Sequence, residues 1–211
     1  MRVVRLVGES KTQAGTPAGH TSTADTALER LVARAKSGDV DAWAEIYKGR
    51  FDAIYRYIRL LTGDSDVAED LTQETFAKAL TCLARFSGRS SFSTWLHGVA
   101  LNVVRRHWRV ASSSRRMKHS VASAAESAPP RGQCPDEGTL RRIRLQTLYA
   151  VLAAAPLPLR EAFLLRDVAG HSQREAAAIL DVTENTVAIR ASRARKFLRK
   201  ELTRLGWMEE S

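Results

Sequence analysis

Side chains able to meet a polyanion are concentrated near the carboxyl end. Between Asn185 and Arg204 stand Arg190, Arg193, Arg195, Lys196, Arg199, Lys200 and Arg204, against a single acid, Glu201. Ahead of them, Ser172 followed three residues later by Glu175 is a capping-box start, so a helix should run to about Leu180. Asp181-Val182-Thr183 breaks it, and Thr183 can cap a second helix from Glu184. Small Ala177 lets the two helices cross closely, with Leu180, Val182 and Val187 filling the joint. This is a helix-turn-helix pattern, and an α-helix fits the DNA major groove, where all four base pairs are distinguishable. The bland reading is a helical hairpin with a solvated basic face; the one-sided charge favours DNA contact.

Two further clusters are equally uneven. Asp64, Asp66, Glu69, Asp70 and Glu74 occupy one short stretch without a base, and Asp66, Asp70 and Glu74 fall four residues apart, along one ridge of a helix. A solvated face favoured by the helix dipole, a metal site for nuclease chemistry, and a docking face for a basic protein are the open readings. No His joins the cluster and the glycine of a calcium-binding loop is missing, which sets the metal last. Downstream the sign reverses. Arg105, Arg106, Arg109, Arg115, Arg116 and Lys118 run with no acid among them, next to Phe86, Phe92, Trp95, His97 and Trp108. Cations beside aromatic rings suit single-stranded nucleic acid, which needs backbone neutralisation and a place for unstacked bases. Phe92 and Trp95 can equally be core residues.

The elements that must position these groups read as helices throughout. Residues 1–23 are rich in Thr, Gly and Ala without apolar periodicity and read as a disordered tail. Helical pattern begins near Asp25 with Leu28, Leu31 and Val32 and ends at Ser37-Gly38. Trp43, Ile46, Tyr47, Phe51, Ile54, Tyr55, Ile58 and Leu61 then recur at helical steps, a core stripe stopped by Thr62-Gly63. Asp64 caps a third helix to about Arg85, residues 86–92 form a loop, and Ser93 opens a fourth helix through Trp95, Leu96, Val99 and Val103 to Arg109. Residues 111–139 turn to Ser, Ala, Pro and Gly and read as a flexible linker. Helix resumes from Leu140 to Ala155 and again from Leu159 to Asp167. The fold expected is all-α, with one four-helix domain at 24–110, a helix-turn-helix domain at 140–205 and a tail at 206–211.

Composition narrows the partner. A chain of 211 residues with 44% hydrophobic content can form two modest cores, and a formal net charge of +10 favours a polyanion. No apolar run approaches the roughly 20 residues that span a bilayer, and Val3-Val4-Arg5-Leu6-Val7 is too short for a signal core, so a cytoplasmic location without membrane insertion is expected. Cys82 and Cys134 lack metal-ligand spacing and read as free thiols, Cys82 in a helical pattern and Cys134 in the linker. No cofactor, metal or catalytic residue is assigned. An enzyme of the recombinase class would need a catalytic Ser or Tyr among arginines, and the Tyr residues here sit in the core-like stripe. A stand-alone operator-binding regulator leaves the acidic ridge without a purpose.

Taken together, Glu69-Asp70-Leu71-Thr72-Gln73-Glu74-Thr75-Phe76, then Phe86-Ser-Gly-Arg-Ser-Ser-Phe-Ser-Thr94-Trp95-Leu96 with Asn102, then the helix-turn-helix ending Arg193-Ala194-Arg195, resemble an extracytoplasmic-function (group 4) sigma factor of the sigma-70 family. The resemblance covers about residues 25–110 and 140–203. It implies that the acidic ridge, Asp66, Glu69, Asp70, Gln73 and Glu74, docks on the largest subunit of core RNA polymerase, with Asp70, Gln73 and Glu74 at the matching positions. It implies that the loop bearing Phe86, Arg89, Ser90 and Phe92, with Trp95, Asn102 and the basic Arg105, Arg106 and Arg109, takes a base flipped from the melted nontemplate strand of the downstream promoter element. Extruding a base costs a few kcal/mol, so a pocket that accepts only the extruded base traps strand opening. The second domain is implied to read the upstream element as duplex through Arg190, Arg193 and Lys196, with Asn185, Thr186 and Ser192 in reach. Ala188 and Ile189 replace a basic and a small polar residue of the family pattern, and Ile189 suits a thymine methyl. Arg89 and Arg106 replace common acids, which makes this face more positive. A cognate anti-sigma protein is also implied.

Overall fold

The computed structural model describes residues 23–117 and 137–207, and among these the chain forms eight α-helices and no strand. They are α1 (Thr23–Lys36), α2 (Val40–Thr62), α3 (Ser65–Cys82), α4 (Phe92–Met117), α5 (Glu137–Ala154), α6 (Leu157–Phe163), α7 (Gln173–Leu180) and α8 (Glu184–Arg204). A 3₁₀ turn at Leu83–Arg85 follows α3, and a wide π-type turn at Leu164–Val168 follows α6. The tail at 1–22, Cys134 and most of the expected linker lie outside the described residues.

Helix limits follow their caps. Asp64 Oδ1 accepts the N–H of Asp66 at 2.9 Å and of Val67 at 3.1 Å, which starts α3 as expected. Gly63, at φ +79°, closes α2 in the left-handed conformation that costs a Cβ-bearing residue energy. The capping box of α7 is complete: Ser172 Oγ accepts the Glu175 N–H and Glu175 Oε2 accepts the Ser172 N–H. Thr183 caps α8 by accepting the Thr186 N–H at 3.2 Å. Asp181, at φ +55°, makes the turn between α7 and α8 without a glycine; Asp is one of the few residue types that tolerate this region.

Several boundaries differ from the sequence reading: α6 runs over Leu157–Phe163 instead of Leu159 to Asp167, and α3 ends at Cys82 before the 3₁₀ turn. Ser91, not Ser93, caps α4: its Oγ accepts the Thr94 N–H at 3.0 Å, so the helix starts at Phe92. That helix also continues past Arg109 to Met117, and α5 starts at Glu137, so both ends of the expected linker are helical. Trp207, assigned to the tail, packs against the core, its N–H donating to Leu202 O at 2.9 Å.

The first half packs α1, α2, α3 and α4 around Ile46, Ile54, Ile58, Leu61, Leu71, Phe76, Leu96 and Leu101, each at most 4% exposed. Trp43, Tyr47, Phe51 and Tyr55 of the expected stripe are half-buried and form an aromatic row along α2, with Tyr47 and Phe51 also meeting Phe76. The second half sets α8 across α6 and α7, with Ala177, Leu180 and Val187 buried at the joint. The halves do not stand apart. α2 packs on α5 and α4 on α7, and Arg59 of α2 lies over the Tyr149 ring at 4.2 Å.

Candidate nucleic-acid and partner interfaces

On α3 the 3.6-residue period sorts side chains cleanly. Ala68, Leu71, Thr72, Thr75, Phe76 and Ala79 are buried, while Asp66, Glu69, Asp70, Gln73 and Glu74 are all exposed on the other side. Thr72 and Thr75 donate to Ala68 O and Leu71 O, each at 2.6 Å, which offsets the cost of burying two hydroxyls. The acids therefore form one continuous outward ridge. Among the described residues, no group of His, Cys, Asp and Glu is placed to hold a metal ion.

The loop after α3 and the outer face of α4 form a second surface. Phe86, Phe92 and Trp95 form a three-ring cluster with centroids 5.2–5.7 Å apart, spacings typical of edge-on and tilted aromatic contacts. Phe92 is only 3% exposed, so it supports this cluster from inside, while Phe86 and Trp95 are half-buried and Arg89 and Ser90 are exposed. Asn102, Arg105, Arg106 and Arg109 recur at three- and four-residue steps and share one side of α4. Arg105 and Arg106 each meet an acid of the chain. Arg106 Nη1 lies 3.4 Å from Glu74 Oε1, joining the edge of this face to the acidic ridge. Arg105 makes a fork-like pair with Glu161 of α6, Nε to Oε1 at 2.9 Å and Nη2 to Oε2 at 2.7 Å.

The third surface is α8. Val187, Ala191, Ala194, Leu198 and Leu202 are its buried spine. Asn185, Ile189, Arg193 and Lys196 are exposed, and Thr186, Arg190 and Ser192 are partly exposed at the edges of the same outer face. All seven residues expected to meet duplex DNA are thus accessible on one element. Arg195 is paired with Asp167 at 2.9 Å, which ties α8 to the turn after α6.

A buried polar seam between the halves was not read from the sequence. Tyr57 of α2 meets His97 of α4 edge-on at 5.0 Å, and His97 meets His171 at 4.6 Å. Thr94 Oγ1 donates to Glu175 Oε1 at 2.6 Å. Arg160 of α6 is 8% exposed and donates to the backbone carbonyls of Leu61, Ala153 and Ala155. A signal was available: Arg160-Glu161 sits inside the otherwise apolar run Leu157-Pro-Leu159 to Ala162-Phe-Leu-Leu165, where a charged pair can hardly reach water.

Burial, followed by the neighbouring His171 and the charge of Arg50, outweighs the hydrogen bond to Ser93 O and lowers the His97 pKa from 6.5 to about 4. Burial also lowers that of His171, against the pull of Glu175. For Glu175, burial raises the carboxyl pKa but is overcome by hydrogen bonds from Thr94 and Ser172, leaving it below its ordinary value. On acidification the unfolded chain takes up the histidine proton first. The stability from a neutral His97 is complete above about pH 6.5 and is lost as pH falls towards about 4. Linkage at His97 alone predicts a loss of about 2 kcal/mol between pH 7 and 5. Urea unfolding at the two pH values should show it, and His97→Gln should flatten the dependence.

Comparison with known proteins identifies both halves of the chain. The family described as Sigma-70 region 2 matches residues 46–114, and that described as Sigma-70, region 4 matches residues 145–198. The ECF RNA polymerase sigma factor SigC of Mycobacterium tuberculosis (strain CDC 1551 / Oshkosh) is 33% identical over 178 residues, covering 84% of this chain and 92% of the relative. The ECF RNA polymerase sigma factor SigW of Bacillus subtilis (strain 168) is 27% identical, covering 83% and 96%. Among solved structures, CnrH in complex with the cytosolic domain of CnrY is similar at a TM-score of 0.63 and 25% identity, over 84% of this chain and 97% of that one. The sigma factor RpoE of Bartonella quintana, in complex with the anti-sigma factor NepR, gives the same score and identity over 76% and 96%. An acidic ridge on the region 2 match, a helix-turn-helix on the region 4 match and relatives spanning both place the chain in one group: it belongs to the extracytoplasmic-function sigma factors of the sigma-70 family.

Proposed function

We propose that this chain is a transcription initiation factor that binds core RNA polymerase, directs it to specific promoters and helps open the DNA there. The observation that carries this reading is the outward ridge of Asp66, Glu69, Asp70, Gln73 and Glu74, presented apart from the basic DNA-facing surface of α8. An operator-binding regulator has no use for an acidic protein-docking face of this kind. In the proposed division of labour, α8 enters the major groove of the upstream element with Asn185, Thr186, Ile189, Arg190, Ser192, Arg193 and Lys196. The loop with Phe86, Arg89, Ser90 and Phe92, together with Trp95, Asn102, Arg105, Arg106 and Arg109, takes the melted nontemplate strand. Phosphate neutralisation makes both contacts salt-dependent, and a base held outside the stack keeps the strands apart.

These groups bind and position; the reading assigns the chain no bond-making step and a cytoplasmic place of action. Two weak DNA modules on one chain reinforce each other once polymerase holds them. An anti-sigma protein is a proposed partner, as RpoE was solved with the anti-sigma factor NepR. In vitro transcription with purified core polymerase across a promoter library tests the whole. Specific transcripts are expected only when the chain is present, with little duplex binding by the chain alone. Tight sequence-specific gel shift without polymerase, and no transcripts with it, would overturn the assignment in favour of a stand-alone regulator.

A further inference from the structure

The side of α8 turned away from the core carries one residue that breaks its polar character. Of the apolar residues in that helix, Val187, Ala191, Ala194, Leu198 and Leu202 are at most 4% exposed and Ala188 and Phe197 are partly covered, whereas Ile189 is 44% exposed. On a helix the surface neighbours of a residue lie three and four positions away. For Ile189 these are Asn185, Thr186, Ser192 and Arg193, every one polar and at least partly exposed. A single exposed apolar residue is common on protein surfaces and says nothing by itself. The place of this one is what matters. Ile189 lies in the second turn of α8, and the first turns of a helix laid in the major groove are the part that reaches base edges. It stands between an amide at Asn185 and a guanidinium at Arg193, the side chains suited to adenine and guanine. Ile189 therefore occupies the centre of the reading face and not its rim.

Chemistry then limits what can lie opposite. A branched hydrocarbon neither donates nor accepts, and pressing it on a polar base edge strips that edge of water without replacing the hydrogen bond. Of the four bases, only thymine presents an apolar group in the major groove, its C5 methyl. Branching at Cβ leaves Ile one preferred χ1 rotamer in a helix, so the side chain is already set before contact. We propose that Ile189 fixes one position of the upstream duplex element as thymine by packing on its C5 methyl, between the base pairs read by Asn185 and Arg193. The inference rests on the reading of α8 as the duplex-binding helix and goes beyond it by naming a base. Asn185 and Ile189 are about 6 Å apart along the helix axis, and base pairs stack about every 3.4 Å. The thymine then falls within about two base pairs of the position that Asn185 selects.

Uracil supplies the test, because it differs from thymine by that methyl alone. Core polymerase with the full chain first selects active promoters from a library randomised across the upstream element. At each thymine so fixed, deoxyuridine then replaces thymine, one position at a time, and transcription at limiting holoenzyme reads occupancy. One position should lose about fourfold, the worth of one buried methyl group. Ile189→Ser should lose about the same factor on the thymine template and should transcribe thymine and uracil templates equally. Ile189→Val, which keeps the branch, should retain the preference. Loss of a merely structural contact would lower both templates together and leave their ratio unchanged. A preference for thymine over uracil that survives Ile189→Ser overturns the inference, as does a set of promoters in which no upstream position senses the methyl. The uracil scan with the unaltered chain decides alone should the serine variant fail to fold. If the unaltered chain drives no specific transcription with core polymerase, the functional reading fails instead.

Discussion

Replacing Asp70 and Glu74 together with arginine is expected to abolish polymerase-dependent transcription, by about a hundredfold or more, while leaving the fold intact. Both side chains are exposed on α3 and neither supports the core, which that helix reaches through Leu71, Thr72, Thr75 and Phe76. Far-UV circular dichroism and the urea midpoint should therefore move little. Binding should respond steeply, because like charges brought face to face at an interface cost several kcal/mol. Glu74→Arg also sets a cation against Arg106, whose present partner it removes, so Asp70→Arg alone is the cleaner probe of docking. Co-purification with core polymerase at modest ionic strength reads the effect directly, and retention of the double variant would sink the docking role of this ridge.

The second large effect is on stability. Arg160→Met should cost about 3 kcal/mol in urea unfolding, since three backbone carbonyls lose a buried, charge-assisted donor. Leu61 O lies in the last turn of α2 and Ala153 O in the last turn of α5. Such carbonyls have no partner within their own helix, and they carry the negative end of its dipole. One guanidinium thus terminates two helices from different halves of the molecule. Burial lowers its pKa and the adjacent Glu161 opposes that shift, but an arginine remains charged in either case. Arg160→Lys should be intermediate because a point-like ammonium cannot replace the planar fork. A loss below about 1 kcal/mol would mean that water satisfies the three carbonyls equally well.

Most of the secondary structure was legible because local chemistry decides it. Asp64, Ser172 and Thr183 each cap the helix whose start they mark, and Gly63 ends α2 where the pattern stops. The basic character of α8 was legible from its one-sided charge, while the seven outward residues were implied by the family resemblance; their exposure follows from the helical period that puts Val187, Ala191, Ala194, Leu198 and Leu202 inside. What escaped were features without a periodic signal. The extension of α4 beyond Arg109 runs through Ser and Arg residues that resemble linker. The π-type turn at Leu164–Val168 continues an apolar run that reads as ordinary helix. Phe92, assigned to the DNA face by its motif, is buried under Phe86 and Trp95. The seam was the least legible. Tyr57, His97, Arg160, Glu161 and His171 are polar residues whose burial depends on two distant segments meeting, and propensity carries no information about that encounter.

The inner edge of α8, Val187, Ala191, Ala194, Leu198 and Leu202, is buried and packs that helix on the scaffold, with Arg195 and Asp167 adding one tie at its side. Its outer residues are consequently free to be rewritten one letter at a time. If α8 reads duplex DNA as proposed, a lineage, or a designer, can retarget such a rod to a different stretch of genome while the buried edge beneath stays unchanged.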